Sequence, residues 1–430
     1  MRAQKRKEMW VRVRKFFNDL HLWMGLSSGL IVIVICFSGT VYVFNTELRE
    51  MASPELYKVK NTTGTNPLTA EQIIEKVEAA TGGKVQSLKI PADTRRTWQV
   101  SVKAQSENPS ASSGGGRGSS GTLYAVDPYN GQVVGDISNT KNGLTEFMRT
   151  MFSLHRWLLL DRIEKPIIGE LPNRKLGSYI TGTATILFTL GVMTGLIIWF
   201  PQKIKTWRQG LKIKWNARWK RLNHDLHNTL AFYSLIFLFI MGATGPQWSF
   251  PWYREGLQKT LGTYRAEGAP RPNPVQSTLP GPSQTADPLL VEHYLASAGK
   301  VLPYSGDYTI VLARDSSSAI AVTKNKTGFF APSAADKLSL DQYTGAVIAV
   351  DIFEEKPFNE RVAGSIKALH LGDVYGTFTK ILYFITCLIA TSLPVTGTLI
   401  WINKLKKKRK KARSIQVKGQ IATSEISQER

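Results

Sequence analysis

The chain has 430 residues, is 43% hydrophobic and carries a formal net charge of +23. Twenty-two of those net charges lie in residues 1–15, 201–221 and 402–413, each abutting an apolar run; this excludes a basic nucleic-acid face and marks the flanks of membrane helices. The two cysteines, Cys36 and Cys387, fall inside apolar runs as small hydrophobes, which excludes a disulfide framework and a CxxC-type zinc or iron–sulfur centre.

Four apolar runs are long enough to span a bilayer, at 22–44, 178–200, 228–248 and 378–401. Each covers about 30 Å at about 1.5 Å per residue. The basic residues 1–21 lead into the first run, whose apolar core is too long for a cleaved leader and is followed by no A-x-A step; it reads as a retained anchor. Residues 45–150 read as a first outer domain. In it LTAEQIIEKVEAATGG predicts a helix with Thr69 as N-cap and Glu71 and Gln72 in its first turn. KVQSLKI and TWQVSVKA alternate as strands, SASSGGGRGSSG (110–121) reads as a flexible hairpin tip, and LYAVDPYNGQVVGDI as a hairpin turning at Asn130-Gly131. Residues 151–177 read as an interfacial segment that folds back before the second run. A basic loop (201–223) leads to the third helix (224–248), a second outer domain (249–369), a fourth helix with its approach (370–401) and a basic tail (402–430).

The Lys/Arg bias puts both termini and the 201–223 loop in the cytoplasm and both outer domains in the periplasm or exterior. Trp23, Trp199, Trp248 and Trp401 lie near run ends, as interfacial Trp should.

The second half echoes the first. VMTGLIIWFPQK (192–203) matches PVTGTLIWINK (394–404), with Thr194/Thr396, Gly195/Gly397 and Trp199/Trp401 in register. DPYNGQVVGDI (127–137) matches DQYTGAVIAVDI (341–352), and LLVEHYLASAGK (289–300) resembles the earlier EQIIEKVEAATGGK. His21 precedes Gly39 by 18 residues, and His227 precedes Gly245 by the same 18. The expected fold is an α-helical integral membrane protein: a four-helix transmembrane bundle with a pseudo-two-fold parallel repeat, plus two α+β outer domains.

Five of the six histidines fall where an apolar run meets water: His21, His155, His224, His227 and His370. The repeat sets His21 opposite His227 at the cytoplasmic face and His155 opposite His370 at the outer face. Histidines paired at one depth on neighbouring helices are the usual axial ligands of haem; interfacial histidines bonded to lipid headgroups or backbone are the plainer alternative. The 18-residue spacing favours His227 over its neighbour His224, which is left to a haem propionate or to solvent. No CxxCH occurs, so an attached haem would be non-covalent, b-type and two per chain. Arg156, Arg254 and Lys367 are candidate propionate partners, or interfacial cations that snorkel. Gly25, Gly29, Gly39, Gly195, Gly242 and Gly397 are candidates for close approach of a macrocycle, or for ordinary helix packing. Trp248, Phe250, Trp252 and Tyr253 form an aromatic cover or an interface belt. His293, away from the membrane, reads as an ordinary domain residue.

HLWMGL at the first helix, LHRWLL before the second, DLHNTL at the third, SFPWYR after it and LHLGDVYG before the fourth resemble, in this order, the PepSY-associated transmembrane-helix family, the iron-regulated membrane proteins. The resemblance spans nearly the whole chain. It implies a bacterial inner-membrane protein with PepSY-like periplasmic domains, and in some members a haem-containing reductase of ferric siderophores. No catalytic triad, GxGxxG, Walker loop or HExxH occurs, so no catalytic residue is assigned, and the cytoplasmic segments are too short for a flavin or nicotinamide domain. The expected partners are a ferric siderophore or other ferric chelate, a separate donor (a cytoplasmic reductase or a quinol), and membrane lipid. Two other classes compete. A membrane-anchored PepSY regulator or protease-inhibitor module predicts no cofactor. A transporter of iron or a small molecule predicts charged or broken helices at mid-membrane; the four cores hold no Asp, Glu, Lys or Arg, and Pro394 alone is placed to break one.

Overall fold

The computed structural model describes residues 2–60, 66–104, 121–200, 204–266, 268–270, 273–279 and 287–428; the Gly/Ser stretch 110–120 lies outside the described residues. The first helix, α1 (Arg2–Tyr42), starts some twenty residues before the apolar run, because nothing in the basic leader breaks it. A short turn leads to α2 (Asn45–Ala52). The predicted capped helix is α3 (Ala70–Thr81), where Thr69 and Gln72 form a reciprocal capping box and Gly82 closes the C-terminus at φ 64°.

The predicted strands follow as β1 (Gly83–Ile90) and β2 (Trp98–Ala104), then the hairpin β3 (Thr122–Val126) and β4 (Val133–Asp136). Its turn requires Gly131, at φ 73°.

His155 lies in a regular helix, α4 (Gly143–Trp157), where the sequence indicates only an interfacial segment. Asn142 caps it, and Leu158 and Leu159, both in the left-handed region, turn the chain back toward α5 (Asn173–Trp199). The third span, α6 (Trp219–Thr244), ends in a tight turn over Gly245–Trp248 and leads to α7 (Pro251–Thr260).

The segment after α7 repeats the element order from α3 to β4: α8 (Val291–Val301), β5 (Gly306–Val311), β6 (Ile320–Lys326), β7 (Ala335–Leu340) and β8 (Val347–Asp351). The short helices α9 (Phe358–Gly364) and α10 (Ile366–Leu371) then lead into α11 (Gly376–Gln428). Pro394 does not break α11, which runs through it as one helix.

Four helices are long and apolar enough to cross a membrane, within Met9–Tyr42, Asn173–Trp199, Trp219–Trp248 and Gly376–Lys410. They close into a ring in which α1 and α6 each pack between α5 and α11. Leu30 and Ile236 are 73% and 69% exposed on the outside of this ring, a surface that suits hydrocarbon and not water. The chain is a membrane protein.

The strands of both segments form one antiparallel sheet in the order β4-β3-β2-β1-β5-β6-β7-β8. The join is β1 against β5, with Leu88 opposite Ile310 and Ile90 opposite Tyr308. A single core therefore serves both segments: Ile73 and Val77 of α3 and Tyr294 and Ala298 of α8 pack with Leu88, Val100, Ile310 and Val322 of the strands. Each large side chain buried this way contributes roughly 1.5–3 kcal/mol.

Candidate functional site: two facing histidine pairs

The ring of helices brings four of the six histidines together in two pairs, one at each end. His21 on α1 faces His227 on α6 at the end that carries the basic segments, with ring centres 6.4 Å apart and planes crossed at 81°. His155 on α4 faces His370 on α10 at the end that carries the sheet, at 6.2 Å and 63°. Along α1, the level of His21 and the level of Gly39, against which His155 packs, are about 27 Å apart.

Each imidazole is seated the same way, against a glycine of a spanning helix. A Cβ built on Gly195 would lie 3.3 Å from the His21 ring, on Gly397 3.2 Å from His227, on Gly39 3.2 Å from His155, and on Gly245 3.4 Å from His370. Close approach is the reason for glycine at these four positions.

The Nδ1 atoms are also held alike. That of His21 donates to the Gly191 carbonyl at 3.0 Å and lies 3.2 Å from Thr194 Oγ1; that of His155 donates to the Ile35 carbonyl at 2.9 Å. Nδ1 of His227 and of His370 meet Thr396 Oγ1 at 2.9 Å and Thr244 Oγ1 at 3.0 Å. Both threonines spend their own hydroxyl proton on their helix, on Ser392 and Ile240. Nδ1–H is therefore the donor in all four rings, and the lone pair is left on Nε2. Among the described residues no hydrogen bond engages any of these Nε2 atoms.

Two imidazoles bound through Nε2 to one metal ion, with bonds of about 2.0 Å, place their ring centres about 6.3 Å apart. Both pairs have that separation. Among the described residues neither pair is joined by a third His, Cys, Asp or Glu, so a metal held there would take its other donors from outside these side chains. A cavity of about 630 Å³ opens beside the His21/His227 pair, with Gly25, Gly191 and Gly195 in its wall. Gly25 faces open space, whereas Gly242 packs on Thr189 and Gly29 on Pro394, as helix contacts.

His224 does not join the pair. Its side chain is 48% exposed, near Asn228 and 3.6 Å from Asp225, at the wall of the cavity. His293 is exposed on α8.

At the sheet end, Trp248 packs on His370 with ring centres 4.9 Å apart. Arg156 donates to the Trp248 carbonyl at 3.3 Å and Arg254 to that of Gln247 at 3.2 Å, so both arginines brace the turn that carries this indole. Lys367 stands on α10, where Asp373 feels its charge. Phe250 stacks on Tyr179 at 5.6 Å, Tyr253 donates to the Ala243 carbonyl at 2.8 Å, and Trp252 is exposed.

The sequence reading missed a motif: a residue whose carbonyl takes Nδ1 at Ile35 and Gly191, then a Ser or Thr three positions on, then the glycine. It occurs once per spanning helix, at Ile35-Ser38-Gly39, Gly191-Thr194-Gly195, Met241-Thr244-Gly245 and Leu393-Thr396-Gly397. Ser28-Gly29 and Thr181-Gly182 share the final step, so the dipeptide alone is not diagnostic.

A comparison with curated proteins finds no match. The profile of the family described as PepSY-associated TM region matches residues 19–404, which take in the apolar cores of all four spanning helices, both histidine pairs and the whole sheet. The chain belongs to that family.

Proposed function

We propose that the chain is a dihaem membrane reductase that passes electrons from the cytoplasmic side to a ferric chelate outside. The observation that carries this reading is the pair of facing histidine couples, each at bis-imidazole spacing, at opposite ends of one four-helix bundle. The fit of the residues to haem rests on four features. They are the ring separation, the glycine seats, the Nδ1–H tautomer that aims its lone pair from Nε2, and a donor set of two where a bare metal needs more. When bound, haem supplies one-electron transfer through its iron. His21 and His227 would hold one such group and His155 and His370 the other.

The chain's own work is positional. Helix carbonyls and hydroxyls fix each imidazole, Arg156 and Arg254 brace Trp248 over His370, and the apolar ring keeps water out. The basic flanks support an orientation with termini inside and the sheet in the periplasm of a bacterial inner membrane. The symmetric strand order and the four-fold motif support reading the chain as two parallel copies of one unit. The donor on the basic side is a quinol or a separate reductase; each electron it gives up converts one Fe(III) to Fe(II), whose weaker hold on hard oxygen donors frees the metal.

Purification in detergent with pyridine haemochromogen assay and reduced-minus-oxidised spectra tests this. About two b-type haems per chain are expected. None, after haem supplementation during expression, would end the reading.

A further inference from the structure

A second cavity, of about 640 Å³, opens at the sheet-side end of the bundle, between the end of α1, α2, α4 and the turn after α4. Ligand sites of this kind typically measure about 300–1,000 Å³. Its wall holds three guanidinium groups, Arg49, Arg149 and Arg162, and two carboxylates, Glu146 and Asp161.

Both carboxylates are already engaged. Glu146 pairs with Arg149 at 2.6 Å, and Asp161 accepts from Ser153 Oγ. Arg162 donates to a neutral acceptor, Thr150 Oγ1, at 2.7 Å. Among the described residues neither Arg49 nor Arg162 has a carboxylate within ion-pair distance. Three guanidinium groups against two carboxylates leave the wall with a net charge of +1, and the two guanidinium groups without a carboxylate partner remain for an anionic guest.

Three aromatic rings share the wall with Met148 and with small polar side chains. Tyr42 lies 5.3 Å from Phe152, and Phe152 lies 5.4 Å from Trp157, centre to centre. This row abuts the sheet-end histidines. Phe152 precedes His155 by one turn of α4, a rise of about 4.5 Å. Tyr42 closes α1 one turn after Gly39, the seat of His155.

We propose that this cavity docks an anionic ferric chelate. Arg49 and Arg162 meet its oxygen donors, and Phe152 and Trp157 lie against its planar arms. The inference rests on the reductase reading and gives it a substrate class: polyanionic chelates with aromatic oxygen ligands, such as catecholates, ahead of neutral ones. A guanidinium fork suits such oxygens in pairs, and the rings keep the guest within one helical turn of His155.

The test uses the full chain in detergent and gallium(III) tris-catecholate, a redox-inert stand-in whose binding is followed by calorimetry. Wild type is expected to bind it, more weakly as salt rises. Arg49→Gln with Arg162→Gln is expected to weaken binding at least about tenfold. In the same double variant, KM for the ferric chelate rises by a similar factor while kcat and haem content hold, which also shows that the variant folds. Arg149→Gln, whose charge is already paired, changes binding less. Equal affinity of double variant and wild type overturns the proposal. So does displacement of the gallium chelate by phosphatidylglycerol, which would make a lipid phosphate the occupant. A protein without haem or ferric reduction that still binds gallium chelate through Arg49 and Arg162 would sink the reductase reading and leave the docking site standing.

Discussion

Glu71 and Glu292 cap one another's helices across the join between the two halves of the sheet. The Glu71 carboxylate accepts from the Val291 N–H at the start of α8, and the Glu292 carboxylate accepts from the Ala70 N–H at the start of α3, at 3.1 Å. The two carboxyls also share a hydrogen bond. Burial, and then that contact, hold Glu71 above the ordinary glutamate value. Burial also opposes ionisation of Glu292, but the proton from Glu71 and the backbone N–H groups outweigh it and hold Glu292 below that value.

A folded Glu71 keeps a proton that the unfolded chain has released, so stability from this pair falls as pH rises from about 4.3 through the raised Glu71 value. Glu292 works the other way: its contribution is lost as pH falls through its depressed value. The join is firmest between the two. Glu71→Gln carries a permanent donor toward Glu292 and keeps an acceptor for Val291. Its unfolding midpoint near pH 7 is expected to rise by about 1–3 °C, and its decline as pH rises above the ordinary glutamate value to flatten. A thermal scan against pH checks this; an unchanged slope would mean that the pair shares no proton.

His227→Ala and His224→Ala separate two neighbours that the sequence alone sets in competition. His227 faces His21 at 6.4 Å, whereas His224 is half exposed beside Asp225. Haem per chain is expected to fall by about half in His227→Ala and to stay at the wild-type level in His224→Ala. The reverse result would hand the ligand role to His224.

The glycines divide into seats and walls, and alanine or leucine tells them apart. Gly195→Ala puts a Cβ 3.3 Å from His21, inside the about 3.5–4.0 Å of a comfortable contact, so the ring must shift. Loss of the haem at that end is expected. Gly25→Leu meets no protein atom at its Cβ, so the folded chain accepts it, but its side chain enters the cavity beside His21 and His227. The expected result is an unchanged unfolding midpoint with about half the haem. Full haem content in Gly25→Leu would mean that this cavity is not where the macrocycle lies.

Much of this architecture is legible in the chain because hydropathy, turn residues and charge act locally. Thr69 and Gln72 announce α3, Asn130-Gly131 announces the β3–β4 turn, and the basic flanks bound the spans. The pairing of His21 with His227 and of His155 with His370 is readable too, because the repeat sets both registers. What escapes is what depends on contacts between distant segments. Leu88 and Ile310 look like core residues of separate domains, and only the β1–β5 ladder makes them neighbours in one sheet. Pro394 looks like a helix breaker, yet packing against Gly29 of α1 accompanies an uninterrupted α11. The arginines of the second cavity come from α2, α4 and the turn beyond, so no stretch of sequence displays them as a set.

The hydroxyl groups beside the glycine seats give a last discrimination, between residues that hold an imidazole and residues that only resemble them. Thr244 and Ser38 occupy the same place in the motif, yet Thr244 Oγ1 accepts from His370 while Ser38 Oγ bonds only its own helix, at Val34 and Ile35. His155 takes the Ile35 carbonyl, which no side-chain change at residue 38 removes. Thr244→Val keeps the shape and deletes the acceptor of Nδ1–H; the Gly245 seat still holds the ring, which donates less strongly from Nε2. Cofactor affinity at the sheet end is expected to drop about tenfold, the lower end of what a lost partner behind a ligating histidine costs, and the midpoint potential of that haem to rise. Ser38→Ala should move neither. Redox titration of the two variants beside wild type reads both effects. Equal shifts in the two would mean that the hydroxyls act through helix packing, and no shift in Thr244→Val would mean that its hydroxyl does not hold His370.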